Sequence, residues 1–140
     1  MDESMLEIRE YHGEGYKPLI DYGEWRVAIL RYLDGLQPDR IDQMERHTET
    51  DEVFVLLCGQ AILILGGTGA QVEGVYPQVM EHGTLYNVKR NAWHTVLLSR
   101  DASVLLVENN DTSEQNSEYT SLSASQRNQI VEQARQYQIT

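Results

Sequence analysis

Glu45, His47 and Glu52 lie close together in the sequence, and all three side chains are of types that bind metal ions. Glu45 and His47 are two residues apart, so on a β-strand their side chains project from the same face. Glu52 follows a polar turn, and if the chain folds back there as a hairpin, its carboxylate comes alongside that face. One short segment could therefore deliver three metal-binding side chains to a single point.

The strongest β-strand pattern comes directly after Glu52. Residues 53–57 and 61–65 are two apolar runs separated by a short turn at residues 58–60, an arrangement that predicts a β-hairpin. Because both runs are apolar on both faces, we expect the hairpin to be covered on both sides. Cys58 is the only cysteine, which excludes an intramolecular disulfide, and its apolar surroundings predict a buried, unreactive thiol.

Short apolar segments separated by turn residues continue through the middle of the chain, at the spacing of a β-sandwich or barrel. The further strands that these segments predict are residues 25–32, 75–80, 85–88, 94–98 and 103–107. A chain of 140 residues with 41% hydrophobic content is long enough to bury one proper core. We therefore expect a single all-β domain.

The two ends of the chain are more polar than its middle. The start is rich in tyrosine and glycine, which predicts an irregular arm, and a polar stretch near the other end predicts a linker. The expected parts of the domain are an N-terminal arm at residues 1–24, a barrel core at 25–108, a linker at 109–121 and a helix at 122–138.

A capping-box pattern marks the start of the expected helix, because Gln126 follows Ser123 at the required spacing of three residues. Ile130, Ala134 and Tyr137 then fall on one side of the helix. This apolar stripe is thin, which predicts a surface helix that leans on the barrel or on a partner.

The charge balance restricts the classes of partner. The chain has 22 acidic and 11 basic residues, a formal net charge of −11 at pH 7, which matches a phosphate backbone poorly. No apolar run reaches the about 18 residues of a membrane span, and the first residues lack the pattern of a secretory signal. We therefore expect no nucleic acid and no membrane as partners, and a cytoplasmic location.

The spacing of four residues resembles the motifs of small cupins. The series His47-x4-Glu52-x6-Gly59 matches the second half of the first cupin motif, G-x5-H-x-H-x3,4-E-x6-G. His94 stands at the histidine position of the second motif, G-x5-P-x-G-x2-H-x3-N, which begins here at Gly83. The resemblance covers about residues 25 to 108 and implies a cupin-type jelly-roll barrel, also called a double-stranded β-helix.

This sequence departs from the cupin motifs at several positions. Glu45 replaces the first histidine of the pair, and Asp39 replaces the first glycine. In the second motif, Lys89, Asn91 and Leu98 replace the proline, the second glycine and the final asparagine. Because asparagine tolerates the left-handed conformation, we expect Asn91 to preserve the turn that glycine would form.

The resemblance implies a metal site inside the barrel, with Glu45, His47, Glu52 and His94 as candidate ligands. His47, Glu52 and His94 alone are the two-histidine, one-carboxylate triad that suits Fe(II), and adding Glu45 favours a divalent Fe, Mn or Zn ion. The alternative is a site that has lost its metal, with the histidines hydrogen-bonded inside the barrel and the glutamates in solvent. If metal binds, Glu45 or Glu52 is the candidate group for moving protons during catalysis.

Residues next to the ligands are candidates for the wall of a small-molecule pocket. Phe54 and Val96 share strand parity with Glu52 and His94, and Trp93 adjoins the second motif. The resemblance implies a metal-dependent enzyme acting on a small polar metabolite, such as a sugar or a keto or hydroxy acid, by isomerase, lyase or oxygenase chemistry.

Two other functions fit the same sequence: a non-catalytic cupin that binds or senses a small molecule without metal, and a structural barrel that only self-associates. Small cupins resemble one another in pairing through their sheets, so we also expect a homodimer. The arm or the C-terminal helix is expected to contribute to its interface.

Overall fold

The computed structural model of the chain describes residues 2–139, which form ten β-strands, three short 3-10 turns and one α-helix. The strands are β1 (Gly15–Tyr22), β2 (Trp25–Arg31), β3 (Gln43–His47), β4 (Glu52–Cys58), β5 (Ala61–Leu65), β6 (Tyr76–Val79), β7 (Leu85–Val88), β8 (His94–Leu98), β9 (Ser103–Asn109) and β10 (Ser117–Ser121). The helix α1 spans Ala124–Gln136. The all-β class with one C-terminal helix is confirmed, and β5, β7 and β8 have the bounds that the apolar pattern predicts.

The strands build two antiparallel five-stranded sheets that face each other. The first sheet has the order β1-β2-β9-β4-β7, and the second has the order β10-β3-β8-β5-β6. Several consecutive strands lie in different sheets, so the chain crosses between the sheets repeatedly, as in a jelly roll. These crossings bring residues that are distant in the sequence to the same interior.

The predicted hairpin at residues 53–65 is wrong. β4 pairs with β7 and β9 in the first sheet, whereas β5 pairs with β6 and β8 in the second. The turn at residues 48–51 also crosses between sheets, because β3 belongs to the second sheet and β4 to the first. The apolar pattern shows that a strand is covered, but it does not identify the neighbour that covers it.

Two separate cores explain why β5 is apolar on both faces. Ala61 and Leu63 pack in the core between the sheets. Ile62 and Ile64 point the other way, into a second core beneath α1. Successive strand residues alternate between faces, so a strand sandwiched between two cores has no polar side.

Two strands near the ends of the chain were not predicted, because their sequences are polar. β1 lies within the segment expected to be an irregular arm, where it pairs with β2 and has a register shift between Pro18 and Ile20. β10 lies within the expected linker and pairs with β3. Both are edge strands, which can be polar because one side and one edge face solvent.

The C-terminal helix has the predicted capping box, formed by Ser123 and Gln126. Ile130 and Ala134 are buried on its inner side, as the apolar stripe predicts. Tyr137 is instead 40% exposed, because the helix ends at Gln136. None of the helices in the described part of the chain is long and apolar enough to cross a membrane.

The only cysteine is exposed, so the prediction of a buried thiol is wrong. The register of β4 against β9 shifts between Leu56 and Cys58, at the end of the strand. This irregularity turns Cys58 out of the core, and its Sγ lies 3.4 Å from the backbone oxygen of Asp101.

Gly59 makes the tight turn that sends the chain from the first sheet to the second. Its φ angle is +77°, and a Cβ atom built there would lie 2.6 Å from Cα of Ala102. Only glycine fits this position, because a side chain would combine an unfavourable backbone angle with a clash against backbone.

We expect Gly59→Ala to lower the free energy of unfolding by more than about 2 kcal/mol, measured by urea denaturation. Gly35→Ala is the matched control, because Gly35 has no positive φ angle and no atom within 4 Å of its built Cβ. Equal stabilities of the two variants would contradict this account of the turn.

Candidate metal centre

Five titratable side chains meet between the two sheets at one end of the barrel. Glu45 and His47 on β3 and His94 on β8 come from the second sheet, while Glu52 on β4 and Glu108 on β9 come from the first. Four of them are almost fully buried, with between 3% and 8% of their surface exposed. Glu45 differs, because 40% of its side chain is exposed. The structure thus brings together the four predicted ligands and one carboxylate that the sequence did not predict.

Glu52 lies at the centre of this cluster. Its Oε1 atom is 3.2 Å from Nε2 of His47 and 3.2 Å from Nε2 of His94. Metal–ligand bonds of about 2.0–2.2 Å place neighbouring donor atoms about 3 Å apart, which is close to these separations. Oε1 of Glu45 is farther away, at 4.0 Å from Nε2 of His47 and 3.9 Å from Nε2 of His94.

The Nδ1 atom of each imidazole ring makes a hydrogen bond that fixes the orientation of the ring. Nδ1 of His47 is 2.8 Å from the hydroxyl of Ser117, and Nδ1 of His94 is 3.0 Å from the backbone oxygen of Ala92. A carbonyl oxygen only accepts, so Nδ1 of His94 carries its proton and its Nε2 can present a lone pair. Such hydrogen bonds orient histidines that bind metals.

Nε2 of His94 is a buried polar atom with no hydrogen-bond partner among the described residues. It lies near Glu52, but that contact lacks hydrogen-bond geometry. A buried nitrogen without a partner costs free energy unless something else binds it. Nε2 of His94 points toward Glu52, and Nε2 of His47 lies beside the same carboxylate. A divalent cation bound between these three groups would give the His94 nitrogen a partner. The residues therefore fit a metal.

Electrostatic interactions within the cluster shift the pKa values of Glu52, His47 and His94. Burial alone would raise the pKa of Glu52, but the hydrogen bond with His47 and the positive charge of His47 and His94 lower it to about 2. Burial likewise opposes charge on both imidazoles, yet the Glu52 carboxylate raises the pKa of His47 and of His94 above the usual value. The metal-free cluster is therefore an ion-paired group centred on Glu52.

Glu108 is the functional-site candidate that sequence analysis missed. Its Oε2 atom lies 3.9 Å from Nε2 of His47, and its Oε1 atom is bound by Tyr16 and Arg26. Burial and the nearby charge of Glu52 raise the pKa of Glu108. The sequence did contain a signal, because Glu108 has the parity of the inward residues Val104 and Leu106 in an apolar strand.

A cavity of about 560 Å³ opens from the cluster. Its walls include Phe54 and Val96, which is where strand parity placed them, together with Leu30 and Leu106. All the members of the titratable cluster also border it. The cavity thus has apolar walls and a charged end, the combination found in small-molecule sites.

No protein-family model matches the chain, and no curated protein matches its sequence. Several solved structures match its fold. Pac13, a nucleoside dehydratase, superposes with a TM-score of 0.54 at 11% identity, covering 80% of this chain and 83% of that one. A Streptomyces Pac13 variant with uridine gives a TM-score of 0.56 at 14% identity, covering 82% and 87% of the two chains.

Two further matches are weaker. HppE with Fe(II) gives a TM-score of 0.50 at 13% identity and covers 67% of this chain and 48% of that chain. A cupin-2 domain protein from Shewanella frigidimarina gives 0.47 at 11% identity, covering 70% and 82%. Taken with the two facing sheets of this chain, the Pac13 structures establish the fold. The chain has a cupin-like jelly-roll barrel fold.

Trp93 lies in the core beneath α1 and does not line the cavity, so its prediction as a pocket residue is wrong. It is the sequence neighbour of His94 and therefore points to the opposite face of the sheet, into the core beneath α1. Its ring nitrogen donates to the backbone oxygen of Gly69, and the guanidinium of Arg46 lies 4.2 Å from its ring centroid. Trp93 thus anchors the loop that contains Gly69, on the outer face of the second sheet.

The turn before His94 has the conformation that the sequence predicts. Asn91 has a φ angle of +70°, so asparagine takes the left-handed position where the motif has glycine. The Asp51 carboxylate accepts hydrogen bonds from the backbone of Arg90 and the side chain of Asn87. These contacts tie the turn before β8 to the turn before β4, and both strands carry residues of the cluster.

We expect the metal-free protein to be most stable at mildly acidic pH. The contribution of Glu52 is present above its ordinary pKa of 4.5 and is lost as pH falls through the lowered value. The contribution of the histidines is present below their ordinary pKa of 6.5 and is lost as pH rises through the raised values. The two contributions coincide between these limits.

Thermal unfolding in the presence of a chelator, from pH 4 to 9, tests this expectation. The difference in Tm between the wild type and Glu52→Gln should be largest at about pH 5–6 and should shrink on both sides. A difference that does not vary with pH would show that the ion-paired group contributes no net stability.

Proposed function

We propose that this cupin is a metal-dependent enzyme that acts on a small polar metabolite. His47, Glu52 and His94 would hold a divalent transition metal, and Glu45 would border it from the open side. The observation that carries this proposal is the buried Nε2 of His94, which has no hydrogen-bond partner and shares its neighbour Glu52 with Nε2 of His47.

The donor set favours Fe, Mn or Zn. Two imidazole nitrogens with carboxylate oxygens suit these ions, and the site contains no sulfur ligand that would select Cu(I). When bound, such an ion supplies a Lewis acid that polarises an oxygen of the substrate. Ser117 and the backbone oxygen of Ala92 would hold the two imidazoles in ligand orientation.

Glu45 is the best placed group to move a proton. Its side chain borders the cavity, is 40% exposed, and lies about 4 Å from both histidines. Glu52 is poorly suited to this second role, because it is buried and paired with both imidazoles. We therefore assign the proton-transfer step to Glu45 and the binding of metal to Glu52.

The shape of the cavity supports a substrate with one apolar and one polar portion. Leu30, Phe54 and Val96 would contact the apolar portion, and the charged end would contact hydroxyl or carbonyl oxygens. Pac13 is a nucleoside dehydratase that has been studied with uridine. Neutral sugars and nucleosides are therefore the first probes to test, followed by keto and hydroxy acids.

A non-catalytic binding protein without metal is the second candidate. One observation favours it: the Glu52 carboxylate is already neutralised by its hydrogen bond with His47 and by the positive charge of the imidazoles. Such a protein would be stabilised against heat by its ligand, with no turnover and no requirement for metal.

We expect the purified protein to contain close to one transition-metal ion per chain, as measured by elemental analysis. His47→Ala and His94→Ala should each reduce this content at least about tenfold, because each removes a ligand. His12→Ala is the control, since His12 is 76% exposed and lies in the N-terminal segment. A wild-type protein that takes up no Fe, Mn or Zn on titration would leave only the metal-free candidate.

We also propose a homodimer formed through the outer face of the first sheet. The outward residues of its neighbouring strands are apolar, and Leu57 and Leu85 are 50% and 71% exposed. The other outward residues on this face are Val53, Val55, Leu105 and Val107. Met5 and Ile8 in the N-terminal segment are also exposed and could extend such an interface.

Light scattering at micromolar concentration should give about twice the 16.1 kDa mass of the chain. Leu85→Glu should yield monomers, because it would bury a charge at the interface. Tyr76→Glu is the control, as Tyr76 is similarly exposed but lies on the second sheet. A wild-type mass near that of one chain would overturn the proposed dimer.

A further inference from the structure

Glu108 is held by one carboxylate oxygen only. The hydroxyl of Tyr16 donates to Oε1 at 2.8 Å, and the guanidinium of Arg26 donates to the same atom at 2.9 Å and 3.3 Å. Oε2 accepts no hydrogen bond from any described residue and lies 3.9 Å from Nε2 of His47. The two donors therefore fix the carboxylate with one oxygen turned toward the cluster.

The clamp on Glu108 is itself rigid. Arg26 is the cross-strand neighbour of Glu108. Its Nη1 donates to the backbone oxygen of Asn110 at 3.2 Å, and its Nη2, which also donates to Glu108, donates to the backbone oxygen of Thr112 at 3.0 Å. The guanidinium also lies 5.5 Å from the centroid of the Tyr16 ring. Carboxylates that bind metals are commonly held in this way by outer hydrogen bonds.

Glu108 and Glu52 form a like-charge pair inside the barrel. The register of Val53 opposite Val107 places them side by side on the inner face of neighbouring strands, and each is at most 6% exposed. Buried carboxylates side by side repel each other unless a cation or a shared proton lies between them. Arg26 reaches Oε1 of Glu108 and makes no ion pair with Glu52 in the described part of the chain, so on the side of the pair that faces His47 only the imidazoles can supply positive charge.

We propose that Oε2 of Glu108 is the fourth protein ligand of the metal, and that Tyr16 and Arg26 position it. This inference rests on the proposed metal site. It assigns the fourth ligand to a buried carboxylate of the first sheet and leaves the more exposed Glu45 free for the substrate. Two sets of three residues have one donor atom each within 4.8 Å of the others, namely Glu45, His47 and His94, and His47, Glu52 and Glu108. Only the second set is buried throughout, which favours Glu108 over Glu45 as the ligand.

The test compares metal affinities at fixed pH by competition with a chelating dye, using Mn²⁺ and Zn²⁺ as probes. Glu108→Gln should weaken binding about 10- to 100-fold, because the amide oxygen is a poorer ligand than a carboxylate. Glu45→Gln is the matched control and should change affinity less than about threefold. Tyr16→Phe should weaken binding by an intermediate factor, since it loosens the clamp without removing the ligand.

The visible absorption of the Co²⁺-loaded protein supplies a second readout. The band should shift in Glu108→Gln and remain unchanged in Glu45→Gln, because only the first variant would alter the coordination of the ion. A purely structural role of Glu108 would lower thermal stability without moving this band. Should Glu108→Gln fail to fold, Glu108→Asp, which shortens the side chain, and Tyr16→Phe decide the matter by the same measurements.

Two outcomes would overturn the inference, and they are distinguishable. If the wild type binds metal and Glu108→Gln keeps its affinity and its Co²⁺ spectrum, Glu108 is not a ligand and the proposed metal site stands. If the wild type binds neither Mn²⁺, Zn²⁺ nor Co²⁺, the proposed metal site fails and the inference about Glu108 fails with it.

Discussion

The buried Glu52 carboxylate is the constraint around which the interior of this barrel is arranged. A charge in such a place is costly unless it is paired, and the pairing groups come from the opposite sheet. His47 and His94 can approach Glu52 only because the chain changes sheets between β3 and β4 and again after β4. The turns at these crossings, including the one at Gly59, are therefore as important to the site as the charged residues themselves.

The cluster is divided into a buried side and an open side. Glu108 lies on the first sheet, on the buried side of the cluster, where Arg26 and Tyr16 hold its carboxylate. Glu45 lies on the other side, partly in solvent and at the edge of the cavity. Glu45 and Glu108 lie at similar distances from Nε2 of His47 but have different surroundings, and this difference in burial is the basis for the different roles that we propose for them.

The pattern of strands could be predicted well from the sequence where a strand is buried, and poorly where it is not. β5 and β8 have the expected bounds, because apolar residues between turn residues leave few alternatives. β1 and β10 were missed, because edge strands tolerate the same polar residues as loops. The prediction that β4 and β5 pair with each other was also wrong. Two apolar strands joined by a short turn can form a hairpin or can lie in different sheets, and the local sequence favours neither arrangement.

The sequence by itself determined the fold class, the four candidate ligands and the parity of the pocket residues Phe54 and Val96. These depend on local alternation and on short spacings, which persist whatever the strands pair with. Tertiary structure alone decided the approach of Glu108 to His47, the exposure of Cys58 and the placement of β4 and β5 in different sheets. The physical reason is that each of these depends on which sheet and which face lies opposite, and a chain that crosses repeatedly between two sheets does not encode that in any local pattern.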